Sequence, residues 1–275
     1  MTTPKRPIVL ITGLWMSPRI WDDFRQFYHQ RGHRVYAPSW PGLKQFGEGK
    51  WDASAGISSL GVKEVVDYFE RFVRTFADAP ILMGHSLGGL FVQKLLDRGL
   101  GAAGVAINSP APKGILRMPF TQMKSIGGVL SNPFNLRRVV ELTFEQFKYA
   151  FANTMTPAEA SRAYSKYVVH GPGRVLFQLA LANLTFRAAT KVNFANTGRA
   201  RLLLIAGGKD RFAPTSVIKE SYYKHLESRA TTSYKEFTEC SQMVLVEDGW
   251  NKVAEFALTW ANVHAKYRHN VQRVA

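Results

Sequence analysis

The sequence predicts an α/β fold with a mostly parallel central sheet that is flanked by helices. Short apolar runs alternate with amphipathic segments over residues 7–108, and the same alternation resumes after residue 200. Between these two parts, the segments have helical spacing and the alternation stops. Buried strands that alternate with helices are typical of a parallel sheet covered on both faces.

The chain of 275 residues is long enough for one large domain with an inserted module. We assign residues 1–112 and 200–275 to the core and residues 113–199 to a helical cap. Prolines at 119, 133 and 157 and the Gly-Pro-Gly segment at 171–173 divide the cap into separate helices.

Each element follows from a local pattern. Leu60, Val65 and Phe69 lie near helical spacing, whereas the apolar run at 201–206 has the length of a buried strand. In the core we predict strands at 7–12, 33–37, 81–83, 104–108, 201–206 and 232–237, and helices at 20–30, 58–78, 87–98, 215–227 and 250–267. In the cap we predict helices at 138–153, 157–168 and 175–186.

The segment 80–91 carries the strongest functional pattern. A short apolar strand leads into Gly-His-Ser-Leu-Gly at 84–88 and then into an amphipathic helix. Glycines two residues before and after Ser86 permit a sharp turn in which strand and helix pack closely. Ser86 is then exposed at a helix N-terminus, and the backbone N–H of Leu87 is free to face a developing oxyanion.

This elbow, the turn at 13–15, Gly-Gly-Lys-Asp at 207–210 and the segment 248–254 together resemble the α/β-hydrolase superfamily. The resemblance is closest to bacterial members with a helical cap between strands six and seven. It implies that Ser86 is the nucleophile and Asp210 the triad acid, and that the N–H groups of Leu14 and Leu87 form the oxyanion hole.

The catalytic histidine is absent from its expected position. In relatives of this type it lies a few residues before a Gly-Trp pair, and here that position is occupied by Gln242. An amide has no titratable base near neutral pH, so Gln242 can hold Ser86 but cannot take its proton. Loss of the base from a serine triad removes about four to six orders of magnitude in rate.

Two origins of Gln242 stay open: a histidine replaced in the laboratory to trap a complex, and natural divergence. Further departures from the family pattern at Thr12, Arg211 and Met243 favour divergence. For the substrate pocket we select Trp15, His85, His170 and Met243. Of these, only His170 could replace the missing catalytic base. We expect His85 to point away from the reacting serine, because it lies inside the elbow.

The net charge of +16 is concentrated in one third of the chain. Residues 111–200 hold 12 basic and three acidic residues, a net charge of about +9. Such a field attracts anions, so a solvated basic surface, a free carboxylate substrate and an acidic acyl carrier protein are all compatible with it. Nucleic acid is not expected, because the basic residues are scattered and no recognition motif accompanies them.

The sequence predicts a cytoplasmic protein without metal or cofactor. The apolar run at 8–11 is too short for a signal peptide, and no window is long enough for a membrane span. The single cysteine, Cys240, fits a reducing compartment and is expected to be a small buried residue. Oligomeric state is left open.

Two classes of function remain. The first is an enzyme for a hydrophobic small molecule, which either hydrolyses an ester, thioester or lactone or catalyses a non-hydrolytic cyclisation, elimination or decarboxylation. The second is a binding protein that keeps the fold and pocket without turnover. The intact Ser86, Asp210 and elbow glycines favour the enzyme.

Overall fold

The computed structural model describes residues 5–46, 50–53, 55–117 and 119–265. Its main sheet has six strands, and every pairing within it is parallel. In spatial order they are β10 (Thr232–Phe237), β9 (Arg201–Gly207), β6 (Ala103–Ile107), β5 (Ile81–His85), β1 (Ile8–Ile11) and β2 (Val35–Tyr36). The predicted parallel α/β sheet is therefore confirmed.

The central strands carry apolar side chains on both faces. All residues of β1, β5 and β6 are buried, and only Arg201 of β9 is partly exposed. Helices that flank a parallel sheet on both faces require this composition. The core helices are α1 (Asp22–Gln30), α2 (Val62–Arg74), α3 (Leu87–Asp97), α8 (Thr215–His225) and α9 (Trp250–His264). The predicted end of the last helix at residue 267 lies outside the described residues.

The segment between β6 and β9 adds no strand to the main sheet. It contains α4 (Phe120–Leu130), α5 (Phe144–Ala150), α6 (Pro157–Tyr167) and α7 (Gly173–Ala180). A short antiparallel pair, β7 (Val139–Val140) and β8 (Gly171–Pro172), joins two parts of this segment. We call residues 113–199 the cap segment.

The structure differs from the predicted elements in three places. The predicted helix 138–153 begins only at Phe144, because Val139 and Val140 pair with β8. Helix α4 and an antiparallel hairpin, β3 (Leu43–Phe46) and β4 (Lys50–Ala53), were not predicted. The pairing of β7 with β8 depends on contacts between residues far apart in the chain, which local patterns do not encode.

The cap segment is joined to the loop after β1 by backbone hydrogen bonds. Ser17 N donates to Tyr167 O at 2.8 Å, and Val169 N donates to Trp15 O at 2.8 Å. Met16 and Val168 form an antiparallel bridge between these contacts. The loop after β1 is thus held directly against the cap.

None of the helices in the described ranges combines the length and the apolar character that a bilayer crossing requires.

Candidate active site

Ser86 lies in a strained turn between β5 and α3. Its backbone has φ 53° and ψ −128°, a region that residues other than glycine rarely adopt. The neighbouring glycines make this turn possible, because a Cβ on Gly84 would lie 2.1 Å from Gly88 O. A Cβ on Gly88 would in turn lie 2.0 Å from Ile11 O. The sequence therefore forms the elbow because it has no side chain at either position.

The loop after β1 lies directly beside Ser86. Gly13 is so close that a Cβ there would lie 2.6 Å from Ser86 Cβ and 3.1 Å from Ser86 Oγ. Leu14 follows in this loop, and Leu87 is the first residue of α3. Within the described part of the chain, neither the Leu14 N–H nor the Leu87 N–H has a hydrogen-bond acceptor. Both donors remain available to an oxyanion, as the oxyanion-hole prediction requires.

Gln242 connects Ser86 to Asp210. In the amide orientation that satisfies both neighbours, Gln242 Oε1 accepts from Ser86 Oγ at 3.0 Å. The amide nitrogen donates to Asp210 Oδ1 at 3.3 Å and also to Asp210 Oδ2. The amide thus makes both contacts that a triad histidine would make, but it has no basic atom.

Asp210 is buried at the end of β9. Its Oδ1 accepts from Phe212 N at 2.7 Å and from Ala213 N at 2.8 Å. Burial raises the pKa of Asp210 to about 8, and these two backbone N–H groups oppose the rise. The Gln242 amide nitrogen opposes it further, because a donor favours the ionised carboxylate.

Two residues hold the loop that carries Gln242. His85 Nε2 donates to Gln242 O at 2.8 Å, and burial lowers the pKa of His85 to about 4, so the ring is neutral. Asn108 Nδ2 donates to Ser241 O at 2.8 Å, while Asn108 Oδ1 accepts from Gly207 N at 2.7 Å. Asn108 therefore ties the ends of β6 and β9 to the Gln242 loop.

Asn108 was not predicted as a site residue. The only signal in the sequence was a polar side chain directly after a buried strand, and its φ of 48° shows a backbone that asparagine tolerates better than most residues.

Ser86, Gln242 and Trp15 are buried. Ser86 is 2% exposed, Gln242 0% and Trp15 2%. Trp15 Nε1 donates to Val140 O at 3.1 Å in the cap segment, and the Trp15 ring packs edge-on to Phe151. These two contacts hold the cap segment against the loop after β1.

A large surface cavity lies elsewhere, beside α6 and the loop around Lys209. Its volume is about 940 Å³, and its lining includes Arg162, Lys209, Glu239 and Glu247 but not Ser86 or Gln242. Its charged lining contrasts with the apolar surroundings of Ser86. We do not assign the reacting site to this cavity.

The residues selected for the pocket separate into two groups. Trp15 and Met243 are buried, and Met243 directly follows Gln242. His170, by contrast, has a side chain that is 47% exposed, with Nε2 at 3.8 Å from Glu141 Oε2 in the cap segment. The assignment of His170 to the substrate pocket stays a prediction.

His85 is fully buried. Its ring packs edge-on to Trp21, and its Nε2 faces the backbone of Gln242. Cys240 is free and buried, and burial raises the pKa of its thiol to about 12, so it is not a reactive thiolate.

In the described ranges, no three His, Cys, Asp or Glu side chains are grouped so that they could hold a metal ion. The site consists of a hydroxyl, an amide, a carboxyl group and two backbone donors. Such a set can bind a carbonyl compound and polarise its oxygen, but it lacks a group that accepts the Ser86 proton.

Solved structures of hydrolases share this fold. A pyrethroid hydrolase from Sphingobium faniae JZ-2 superposes with a TM-score of 0.65 at 18% identity, covering 95% of this chain and 99% of that one. A Paleococcus ferrophilus monoacylglycerol lipase gives a TM-score of 0.64 at 18% identity and covers 94% of each chain. An extracellular α/β-hydrolase from a Paenibacillus species gives a TM-score of 0.65 at 17% identity, covering 93% of this chain and 98% of that one.

No curated protein matches the sequence at a significant level. The model of the Alpha/beta hydrolase family matches residues 8–256, which is most of the chain. The strained elbow at Ser86 and the parallel six-stranded sheet agree with this match. The chain therefore belongs to the Alpha/beta hydrolase family.

Proposed function

We propose that the protein is an enzyme that acts on the acyl group of a hydrophobic ester, thioester or lactone, with Ser86 as nucleophile. The observation that carries this proposal is the strained elbow, in which Ser86 Oγ is held by Gln242 beside two free backbone donors. Strained backbone of this kind persists where it serves a site. The names of the similar structures, a hydrolase and a lipase, support acyl chemistry.

The first step joins Ser86 Oγ to the substrate carbonyl carbon, while the carbonyl oxygen gains the electron pair. The N–H groups of Leu14 and Leu87 stabilise this oxyanion. The serine proton passes to water or to the leaving group of the substrate, because Gln242 Oε1 is not a base. Acylation and the later hydrolysis of the acyl-enzyme are therefore both slow.

The surroundings of the site favour an apolar acyl group. Trp15, Phe151 and Phe212 form a chain of ring contacts between the loop after β1, the cap segment and the Asp210 loop. All three side chains are buried. A polar substrate would lose its hydration here without gaining partners.

Covalent labelling tests this proposal. The protein is incubated with an alkyl fluorophosphonate, and intact-protein mass spectrometry measures the adduct. We expect a single slow adduct that is absent from Ser86→Ala and unchanged in Ser161→Ala, which replaces an exposed serine of α6. No adduct after prolonged incubation with probes of several chain lengths would contradict Ser86 as nucleophile.

A second function, a binding protein for a small apolar carbonyl compound, is favoured by the absence of a base beside Ser86. Binding would use the same oxyanion donors and the same apolar surroundings of Ser86, and it needs no proton transfer. Tight binding of an apolar ester that is recovered unchanged, together with an unlabelled Ser86, supports this function over the first.

The candidate partners are inferred from the sequence alone. An acidic acyl carrier protein is one candidate source of the acyl group, because the cap segment carries most of the excess positive charge. The cytoplasm stays the predicted compartment.

A further inference from the structure

A small basic cavity lies at the amino-terminal edge of the sheet. Its volume is about 230 Å³, and its lining includes Arg199, Arg201 and Arg229 together with Thr197 and Thr231, but no acidic residue. Ser86 and Asp210 follow the carboxyl ends of their strands, whereas Arg201 begins β9. Since a seven-residue strand is about 20 Å long, this cavity is remote from Ser86.

Arg199 brings an uncompensated positive charge to this cavity. Its side chain is buried, with the residue only 3% exposed, and its terminal nitrogens donate to Ala200 O and Ala230 O at 3.0 Å and to Thr232 Oγ1 at 2.5 Å. These acceptors are all neutral. Arg199 Nε is buried without an acceptor in the part of the chain that the structure describes.

Asp97 is the acidic residue whose charge acts on Arg199, but the two side chains form no ion pair. Asp97 affects the pKa of Arg199 only through space, and burial still lowers that pKa to about 10. The Asp97 carboxylate oxygens accept instead from Asn193 N and Asn196 Nδ2. A buried guanidinium without a charged partner is unfavourable, so an anion in contact with it would stabilise the fold.

The other two arginines lie at the rim of the cavity. Arg201 is partly exposed and Arg229 is exposed, and neither forms an ion pair with a described residue. One guanidinium group can donate two parallel hydrogen bonds to two oxygens of a phosphate, which is why arginine is favoured at phosphate sites. Two hydroxyl groups in the lining, from Thr197 and Thr231, add neutral donors.

We propose that the cavity formed by Arg199, Arg201 and Arg229 binds a phosphate dianion, either free or as the monoester of a small alcohol. One water occupies about 30 Å³ of the liquid, so the cavity is large enough for a tetrahedral oxyanion. The site does not depend on the reaction at Ser86. Its occupation is expected to stabilise the chain, because the unfolded state has no such cluster.

Isothermal titration calorimetry with inorganic phosphate tests this site. Sodium chloride keeps the ionic strength equal in all titrations, since a chain with a net charge of +16 attracts any anion. We expect saturable binding of one phosphate per chain. A parallel titration with glycerol 3-phosphate shows whether the cavity prefers free phosphate or a monoester.

The double variant Arg201→Gln/Arg229→Gln is expected to bind phosphate at least about tenfold more weakly, because each substitution removes a charge-assisted hydrogen bond. Both residues are at the rim, so the variant is expected to fold. The matched control is Arg34→Gln/Arg71→Gln, which removes the same charge from exposed positions outside the cavity. This control is expected to bind within about twofold of the parent, since distant exposed charges are screened.

Hydrogen exchange with mass spectrometry gives the location. Phosphate is expected to protect residues 197–202 and 229–232 in the parent and not in the Arg201/Arg229 variant. The proposal is overturned by the absence of saturable binding, by an equal loss in the two double variants, or by protection confined to other segments. None of these outcomes bears on labelling of Ser86.

Discussion

Ser86 Oγ donates to Gln242 Oε1 at 3.0 Å, and the same amide donates to Asp210 on its other side. An imidazole in this place would reach both groups with the geometry of a catalytic triad. We expect Gln242→His to raise the turnover of an activated ester such as a p-nitrophenyl ester at least about tenfold, because the histidine accepts the serine proton. Initial rates of release of the chromophore measure this gain.

Two variants control for this gain. Gln242→Asn keeps an amide but shortens it, and it is expected to give no increase. Ser86→Ala added to Gln242→His is expected to return the rate to the background. A parent protein that already hydrolyses activated esters at rates usual for serine esterases would show that Gln242 does not occupy the critical position.

The elbow should not tolerate a side chain on Gly84. The added Cβ would lie 2.1 Å from Gly88 O and 2.3 Å from Gly88 C, so the start of α3 would have to move. We expect Gly84→Ala to lower the free energy of unfolding by about 3 kcal/mol or more and to abolish labelling of Ser86. Urea denaturation and the fluorophosphonate adduct measure the two effects.

Gly127 provides the matched control for this substitution. It lies within α4, and a Cβ there meets no heavy atom within 4 Å. Gly127→Ala is expected to raise the free energy of unfolding by about 0.5–1 kcal/mol, since glycine loses more backbone entropy in a helix. Similar stability for the two variants would contradict the steric account of the elbow.

The sequence was sufficient to predict the parallel sheet, the elbow and the positions of Asp210 and Gln242 relative to Ser86. The elbow depends on local signals, because a strand, a glycine pair and a helix N-terminus are adjacent in the chain. Asp210 and Gln242 are far from Ser86 in the chain, and they were selected through the resemblance to the α/β-hydrolase superfamily. The pairing of Val139–Val140 with Gly171–Pro172 has no such signal, since the two segments are about thirty residues apart.

The contacts between the loop after β1 and the cap segment could not be predicted from the sequence either. Trp15 was expected in the pocket, but its bond to Val140 O and its packing on Phe151 depend on how the cap segment folds onto the core. The role of Asn108 also depends on three segments meeting at one place. Tertiary contacts of this kind cannot be derived from one sequence by periodicity.

Asp210 should make stability depend on pH. Burial raises its pKa in the folded protein from the usual 3.8 to about 8, so the folded state keeps a proton that the unfolded state loses. Between these pH values the folded state binds more protons, so stability falls as pH rises from about 4 towards the folded pKa, which the Gln242 amide donor holds at or below about 8. Asp210→Asn is expected to remove this decline.

Thermal unfolding of the parent and Asp210→Asn from pH 4.5 to 8.5 measures this effect. The Tm of the variant is expected to be at least about 2 °C above that of the parent across this pH range, since about 1 kcal/mol shifts the Tm of a domain this large by about 2–4 °C. Asp248→Asn, which removes an exposed carboxylate, is the control. If Asp210→Asn abolished turnover as completely as Ser86→Ala while leaving the pH dependence of Tm unchanged, an undetected base would be required.

Trp15 should control access to Ser86. Its Nε1 donates to Val140 O at 3.1 Å and so helps to hold the cap segment against the loop after β1. Trp15→Phe removes this bond and part of the ring, and it is expected to speed labelling of Ser86 about two- to tenfold, the factor expected from one hydrogen bond. The gain is expected to be larger for a long alkyl fluorophosphonate than for a short one.

Trp260→Phe is the control for access. Trp260 Nε1 also makes one hydrogen bond, to Ser233 Oγ at 3.0 Å, but it lies in α9, where its ring stacks on His264. This variant is expected to label at the parent rate. Equal acceleration in both variants would indicate general destabilisation instead of local opening.

The positive charge of the cap segment should matter only if it meets an acidic partner. Arg137 and Arg138 are exposed there, and an acyl carrier protein is small and acidic. We expect weak binding of an acylated carrier that falls at least about tenfold between low and physiological salt, because exposed charges are screened beyond about 8–10 Å. Titration at two salt concentrations with acylated and non-acylated carrier measures it.

Charge reversal decides whether this attraction is local. Arg137→Glu/Arg138→Glu is expected to abolish binding at low salt, while Arg34→Glu/Arg71→Glu changes the total charge equally at exposed positions outside the cap segment. Since steering depends on charges close to the docking surface, the second pair should retain most of the binding. Equal loss in both pairs, or no binding at low salt, would leave the basic cap as a solvated surface and point to a free small molecule as the substrate.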